Sequence, residues 1–220
     1  MAPTPAVDRD VPFERIPLDA TSWVDVARGW VTGAQEVFEH LVTTVAWRQG
    51  RLWRYERWVD EPRLGAGFPA GRVPHPVFTE IHRALRDRYG VDLGGVGLAY
   101  YRDGHDGQAF HRDRDLRYLD DTLVAVVTFG SRRPWLLRPR DRADKWIAPH
   151  GGAVLDLAPA AGDLLVMGGR AQADWEHGVP RVPGATGRLA RVSAQWRWTS
   201  RRGRPEIGPS YRAPRDFSRR

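Results

Sequence analysis

The chain has 220 residues, with 34 basic against 27 acidic side chains, a formal net charge of +7 at pH 7 and no cysteine. This length suits one domain with a full hydrophobic core, and the lack of thiols excludes disulfides and thiolate metal sites, which leaves imidazole and carboxylate groups as metal ligands. No apolar stretch approaches a membrane span and the N-terminus lacks the apolar core of a secretory signal, which predicts a cytoplasmic protein.

The first part of the chain is expected to be an irregular arm followed by a helix. Residues 1–20 are rich in Pro and Asp, which interrupt regular structure. Residues 22–46 carry apolar residues at helical spacing, from Val24 to Val45. The sequence therefore predicts a helical layer at the N-terminal side of the domain.

Aromatic residues alternate with arginines in the next segment. Trp47, Trp53, Tyr55 and Trp58 are interleaved with arginines over residues 47–58. This mixture is typical of surfaces that stack bases and neutralise phosphates. It is equally typical of a hairpin in which Trp47 and Trp58 are buried as core anchors, and both interpretations stay open.

A second helix and a series of short strands follow. Residues 76–89 have apolar residues on one helical face and end at Gly90. From Val96 onward, short apolar segments are separated by Gly, Pro and Asp, which indicates a sandwich or jelly roll. No internal repeat and no glycine-rich motif between a strand and a helix is present, which argues against a dinucleotide-binding fold. The predicted strands are residues 98–101, 122–129, 135–138, 153–157, 163–167, 175–177 and 188–198.

Two histidines and an aspartate are the candidate metal ligands. His111 and Asp113 are two residues apart, so that on a strand both side chains point to one face. His177, far along the chain, is the best third candidate. Two histidines and one carboxylate hold iron with coordination positions left open. The triplet alone is a weak signal, since it also arises on ordinary surface strands.

The last predicted strand places two arginines on one face. Arg191, Ser193, Gln195 and Arg197 alternate with apolar residues and share that face. An arginine that faces the interior of a β fold is costly unless a carboxylate meets it there.

Several motifs occur in a fixed order between Pro62 and Trp198. This series resembles the AlkB family of iron(II)- and 2-oxoglutarate-dependent dioxygenases, and the combination is far more specific than any one motif. The motifs are Tyr101 to Gly107, His111-Arg112-Asp113, Thr128 to Ser131 with Arg138, Gly162 to Met167, His177 to Val179, and Arg191-x-Ser193-x-x-x-Arg197.

The resemblance implies that His111, Asp113 and His177 bind Fe(II) and form the catalytic centre. It also implies the reaction, in which 2-oxoglutarate and O2 are consumed while an N-alkyl group on a nucleobase of DNA or RNA is oxidised. The products would be an aldehyde, succinate, CO2 and the restored base.

The resemblance also assigns the co-substrate site. Arg191 would pair with the distal carboxylate of 2-oxoglutarate through a bidentate fork that lysine lacks. Arg197 would lie beside the co-substrate and the metal carboxylate, and Tyr101 would supply a hydroxyl. The family usually carries asparagine where this chain has Ala99 and Ser193. Ser193 keeps a hydroxyl, and the site is expected to be looser or differently hydrated.

For the substrate, the resemblance implies a nucleotide-covering lid at about residues 47–72, where Trp53 and Tyr55 are the candidate base-contacting residues. Asp115 matches a position that faces the base, although a solvated turn acid is nearly as good an interpretation. The target base has to be single-stranded or flipped out of a duplex. Nucleic acid is therefore the expected partner of a monomeric enzyme that has no membrane contact.

The predicted fold class is α+β, mainly β, with a double-stranded β-helix (jelly roll) core over about residues 96–198 and flanking N-terminal helices. One domain is expected over residues 21–200, after the arm at residues 1–20. Residues 201–220 hold seven arginines against two acidic residues together with three prolines and two glycines. They predict a flexible basic tail that either follows a phosphate backbone or only aids solubility.

Two other functions stay open at this point. The first is an oxygenase of the same chemistry that acts on a protein or a small molecule. The second is a non-catalytic nucleic-acid-binding β domain in which His111 and His177 are structural. The motifs do not specify whether the substrate is DNA or RNA, or which base lesion is removed.

Overall fold

The computed structural model describes residues 3–54, 56–113, 115–140, 154–184, 189–200 and 215–219. Within these ranges the chain forms three helices, α1 (Ala34–Thr44), α2 (Val77–Tyr89) and α3 (Ala171–Asp174). The strands are β1 (Ala6–Val7), β2 (Glu14–Pro17), β3 (Ser22–Ala27), β4 (Val31–Thr32), β5 (Arg48–Arg54), β6 (Arg57–Phe68), β7 (Val96–Tyr101), β8 (Gln108–His111), β9 (Thr122–Gly130), β10 (Leu136–Pro139), β11 (Leu155–Asp156), β12 (Leu164–Gly169), β13 (Trp175–Val179), β14 (Arg191–Thr199) and β15 (Arg215–Arg219).

Two antiparallel sheets enclose the interior of the domain. The large sheet has the order β15-β5-β6-β7-β14-β9-β12-β3-β2, and the small sheet has the order β11-β10-β13-β8. Buried side chains from both sheets fill the space between them, among them Val126 and Leu165 from the large sheet and Leu137 and Val179 from the small one. Two sheets packed over a shared apolar layer form a jelly roll. The predicted fold class is confirmed.

The first two helices cover the other face of the large sheet. Leu41 of α1 and Ile81 of α2 are fully buried against it. Phe78 packs on Phe129 and Trp196, with ring centroids 5.7 and 5.6 Å away. These helices leave the inner face of the sheet free to carry a site. None of the helices in the described ranges is long and apolar enough to cross a membrane.

The helix predicted from residue 22 begins later than expected, at Ala34, because a strand precedes it. In β3, Val24 and Val26 point into the space between the sheets, and this period-two pattern of β-branched residues favours a strand. The strand is also paired on both sides, with β2 and with β12. The helical spacing that the sequence shows over this segment is therefore overridden by sheet pairing.

Both ends of the chain contribute strands where irregular structure was expected. In the N-terminal arm, β1 pairs with β4 and β2 forms an edge of the large sheet. At the other end, β15 pairs with β5. The rest of the predicted basic tail, residues 201–214 and 220, lies outside the described residues.

The segment rich in tryptophan and arginine is a hairpin, β5–β6, that extends the large sheet. Trp47 precedes it and packs against Tyr100 at 5.1 Å between ring centroids, while its indole N–H donates to the Leu41 carbonyl at 3.2 Å. Trp58, in contrast, is 38% exposed. The interpretation as core anchors is therefore right for Trp47 and wrong for Trp58.

A buried carboxylate ties the start of β12 to the N-terminal strands, and its loss should destabilise the fold. Asp163, which is 3% exposed, accepts bonds from Arg28 Nη1 at 2.8 Å and from the backbone N–H groups of Gly29 at 2.8 Å and Ala160 at 2.9 Å. Asp163→Ala removes a buried carboxylate that accepts three hydrogen bonds from part-buried donors. We expect denaturant unfolding to show a loss of roughly 2–3 kcal/mol.

The matched control is Asp87→Ala, because Asp87 also pairs with an arginine, Arg9, but both side chains are about half exposed. Its loss should cost less than about 1 kcal/mol. Equal effects of the two substitutions would contradict the role assigned to Asp163.

Candidate functional site

The two candidate histidines face each other across paired strands of the small sheet. His111 is the last residue of β8 and His177 lies in β13, and the two are direct cross-strand partners. Their ring centroids are 4.2 Å apart. The pairing of one strand ladder therefore brings together residues that are 66 positions apart in the sequence.

Asp113 joins the pair from beyond the end of β8. Strand alternation, which the sequence suggested, therefore does not explain why Asp113 lies beside the histidines. Instead, Gln172 Oε1 accepts the Asp113 backbone N–H at 2.8 Å, and the Asp113 carbonyl accepts from Leu116 at 3.0 Å. Ligand atoms of His111, Asp113 and His177 all lie within 4.8 Å of one another. Small side-chain rotations from this spacing bring all three onto one metal ion.

The histidines are held in the neutral form that binds metals. Burial is the main reason that the pKa of His177 is lowered to about 3, and the neighbouring His111 is the second. Burial also lowers the pKa of His111. His111 Nδ1 lies 3.0 Å from the Ala109 carbonyl oxygen, which can only accept, so the ring proton is on Nδ1. The lone pair of Nε2 is then available to a metal.

The carboxylate is held in its ionised form. Burial alone would raise the pKa of Asp113, but the charge and hydrogen bond of Arg197 together with the charges of His177 and His111 outweigh burial and lower this pKa to about 2. Arg197 Nε donates to Asp113 Oδ2 at 2.6 Å, and Arg197 Nη2 donates to Gln195 at 2.6 Å. The cluster therefore presents two neutral imidazoles and one anion, the donor set that suits Fe(II).

A buried guanidinium with a free edge lies on the large sheet. Arg191 is 0% exposed, and its Nη1 is 3.5 Å from the Arg133 carbonyl. Its Nε and Nη2 have no hydrogen-bond partner in the described part of the chain. These two nitrogens form the edge that holds a carboxylate through two parallel bonds. Burial lowers the pKa of Arg191 to about 10, so the group stays charged at pH 7.

The surroundings of Arg191 are aromatic or small. The Tyr101 ring centroid is 5.4 Å from the Arg191 guanidinium carbon and 5.3 Å from that of Arg133. Ala99 and Ser193 are cross-strand partners on the same inner face, and the Ser193 hydroxyl is buried without a partner. A buried cation with an open fork and nearby hydroxyls fits the carboxylate of an organic acid.

A groove of about 1470 Å³ opens over the metal cluster and over Ser193. It is far larger than a small dicarboxylic acid needs. Asp115 lies on its rim in an exposed turn. The groove is rich in arginine, whose charged forks suit phosphate groups. Its arginines are Arg48, Arg63, Arg112, Arg117 and Arg197.

The structure does not bring Trp53 into this groove. On β5, Arg48, Gly50 and Leu52 line the groove, and Trp53 is on the opposite face of the strand, where it meets Trp58 edge to face at 5.6 Å. Tyr55, the other candidate base-contacting residue, lies outside the described residues.

Three residues that the sequence did not single out support the site. Gln172, 1% exposed in α3, fixes the backbone of Asp113. Trp135 stacks on His177 with ring centroids 5.4 Å apart. Arg133, 1% exposed, donates to carbonyl oxygens of the loop before β8, including that of Asp106 at 2.6 Å. Only Gln172 had a local signal, because it is a polar residue between two alanines, just before the motif that contains His177.

The chain is similar to known proteins over this same region. Residues 68–202 match the 2OG-Fe(II) oxygenase superfamily. Alpha-ketoglutarate-dependent dioxygenase alkB homolog 3 is 28% identical in Bos taurus, over 67% of this chain and 56% of that protein, and 27% identical in Rattus norvegicus, over 93% and 75%. The DNA oxidative demethylase ALKBH2 of Homo sapiens is 26% identical over 67% of this chain and 62% of that protein. This chain thus spans little more than half of the bovine relative.

A solved structure supports the fold. A prolyl hydroxylase from Trichoplax adhaerens, in complex with a peptide fragment of hypoxia inducible factor, has a TM-score of 0.57. It is 12% identical and covers 80% of this chain and 83% of its own. At this identity the likeness concerns the jelly roll alone.

The metal cluster predicts a sharp difference between two neighbouring acids. Asp113→Ala removes the only anion among the three clustered ligands, and we expect Mn(II) affinity, measured anaerobically by isothermal titration calorimetry, to fall more than about 100-fold, beyond the effect of losing an outer-shell partner. Asp115→Ala is the matched control and should bind Mn(II) as the unchanged chain does. Unchanged affinity in Asp113→Ala would rule out this cluster as the metal site.

Proposed function

Because the chain belongs to the 2OG-Fe(II) oxygenase superfamily and, within it, to the AlkB family, we propose that it oxidatively removes alkyl groups from nucleobases of DNA or RNA. An enzyme of this superfamily requires Fe(II), 2-oxoglutarate and O2. The relative named as a DNA oxidative demethylase supports the choice of a nucleobase as substrate.

One observation carries the proposal. The inner face of the large sheet holds a buried arginine whose bidentate edge has no hydrogen-bond partner among the described residues. The small sheet opposite holds two histidines, and the segment after β8 adds an aspartate at metal-binding spacing. A ligand that joins the two needs a chelating group at one end and a carboxylate at the other. 2-Oxoglutarate has this form, with a keto acid at one end and a carboxylate at the other.

Each residue then has a defined task. His111, Asp113 and His177 would hold the iron, and Arg191 would hold the far carboxylate of 2-oxoglutarate. Arg197 keeps Asp113 ionised and oriented through its bond of 2.6 Å. Iron, 2-oxoglutarate and O2 together supply the oxidising power that converts a substrate C–H bond to C–OH, with release of succinate and CO2. An N-linked carbon that gains a hydroxyl separates as an aldehyde and restores the base.

The groove supports a nucleic acid as substrate. Five arginines line it. Arg197 is bonded to Asp113 and Arg63 to Glu61, and the remaining three would match phosphate oxygens. The histidines lie below its opening, so a base inside a duplex cannot reach them and has to be unpaired or flipped out. Asp115, an exposed lining residue of the groove, would face an entering base.

Release of succinate tests the substrate class. The purified chain with Fe(II), 2-oxoglutarate and O2 should release succinate faster with N-methylated DNA or RNA oligonucleotides than with unmethylated oligonucleotides of the same sequence. Formaldehyde should appear in equal amounts, because one methyl group is lost per turnover. If no nucleic acid stimulates succinate release while a peptide or small metabolite does, the enzyme class stands and the nucleobase substrate is wrong.

Arg191→Lys tests the co-substrate site. Lysine keeps the charge but loses the planar fork, so we expect the KM for 2-oxoglutarate to rise roughly 10- to 100-fold, as for the loss of one charge-assisted hydrogen bond. Arg15→Lys is the matched control, since Arg15 forms a bidentate pair with Asp25 far from the site. An unchanged saturation curve in Arg191→Lys contradicts the assignment.

A further inference from the structure

Another buried polar side chain, besides Arg191 and Ser193, lacks a hydrogen-bond partner on the inner face of the large sheet. Thr128 in β9 is 0% exposed, and its hydroxyl has no partner within the described ranges. Its backbone groups are both hydrogen-bonded, since its N–H donates to the Asp163 backbone carbonyl at 3.0 Å and its carbonyl accepts from the Gly162 N–H at 2.8 Å. The hydroxyl alone is left unpaired.

The strand register places this hydroxyl on the same face as Arg191, two residues further along the paired strands. Thr128 is the direct partner of Ser193 across β9 and β14, and Gly130 is the partner of Arg191. Cross-strand partners point to the same face, and so do residues two apart on one strand. Thr128, Ser193 and Arg191 therefore share the inner face of the large sheet.

An unpaired buried hydroxyl is unusual because it loses its bonds to water on folding, at a cost of about 1–3 kcal/mol. The same face has three other such atoms close by, Arg191 Nε, Arg191 Nη2 and Ser193 Oγ. All of them can donate, so a group rich in acceptors satisfies them together. Asp163, just before β12, and Asp25, on β3, are occupied by arginines of their own, Arg28 and Arg15.

We infer that the Thr128 hydroxyl is a specificity-determining part of the co-substrate site and donates to the carboxylate that Arg191 holds. The inference rests on the proposed function and extends it to a residue on a different strand. A carboxylate has about four lone-pair positions. Two are taken by the Arg191 fork, and the Thr128 hydroxyl takes a third from the side of β9.

Binding to the full chain tests this role without turnover. Mn(II)-loaded protein is titrated anaerobically by calorimetry with two probes, 2-oxoglutarate and oxalate. Oxalate chelates a metal through two adjacent carboxylates and has no distal group to reach Arg191. A contribution from Thr128 therefore appears with 2-oxoglutarate and not with oxalate.

Thr128→Val removes the hydroxyl and keeps the shape. We expect its Kd for 2-oxoglutarate to rise about tenfold and its Kd for oxalate to stay unchanged. Thr128→Ser restores the hydroxyl and should recover most of the affinity. Without ligands, Thr128→Val should also raise the Tm by a few degrees, because an unpaired buried polar group is replaced by a methyl group.

The matched control is Thr122→Val, on the same strand and the same face. The Thr122 hydroxyl donates to the Gly169 carbonyl at 3.0 Å, about 20 Å along β9 from Thr128 at 3.3 Å per residue. Its loss should lower the Tm and leave the Kd for 2-oxoglutarate unchanged.

The failures of the two proposals are distinguishable. If the unchanged chain binds oxalate but not 2-oxoglutarate, the proposed function itself is wrong. If the unchanged chain binds 2-oxoglutarate and Thr128→Val binds it equally well, the function stands and the role of Thr128 is overturned. A parallel loss of affinity for both probes in Thr128→Val would also overturn it, because that result means a general distortion.

Discussion

The site depends on one unfavourable arrangement, a guanidinium buried inside a β sandwich with no carboxylate bonded to its bidentate edge in the described part of the chain. Arg191 is 0% exposed, and Asp156 acts on it only through its charge. A buried charge without a partner costs more than almost any other group. The burial of apolar residues elsewhere between the two sheets offsets this cost. An anionic ligand that enters the site removes the cost, so the fold itself favours binding of a carboxylate.

The two halves of the site belong to different sheets. The histidines come from β8 and β13 of the small sheet, while Arg191 and Arg197 come from β14 of the large sheet. The bond between Arg197 and Asp113 runs from the large sheet to the segment that follows β8 of the small sheet. The apolar layer between the sheets therefore sets the distance between the metal cluster and Arg191. A diacid would have to match this distance in order to bind both. Rigid placement of this kind is what a reaction with a strong oxidant needs.

The motifs of the sequence predicted the fold class, most strands and a close cluster of His111, Asp113 and His177, because ordered motifs and period-two patterns survive without tertiary information. The sequence misjudged β3, where pairing on both sides overrides helical spacing. The sequence also predicted that strand alternation places Asp113 beside His111, which is wrong. β8 ends at His111, and Gln172 holds the backbone of Asp113 instead. The contact of Gln172 in α3 with Asp113 and the position of the Thr128 hydroxyl on β9 could not be predicted from the sequence, because both depend on how distant segments pack and pair.

The departures of this chain from the usual family pattern have a physical consequence in the structure. Ala99, Ser193 and Thr128 form one cross-strand row next to the Arg191 level, and all three side chains are small. In the usual family pattern, two asparagine amides occupy positions in this row. Here the methyl group of Ala99 and the hydroxyls of Ser193 and Thr128 leave more room and provide donors. Hydroxyls rotate to meet an acceptor, whereas amides present a fixed mixture of donors and acceptors. The row therefore offers an acceptor two hydroxyls that can rotate to donate, those of Ser193 and Thr128, in place of side-chain amides.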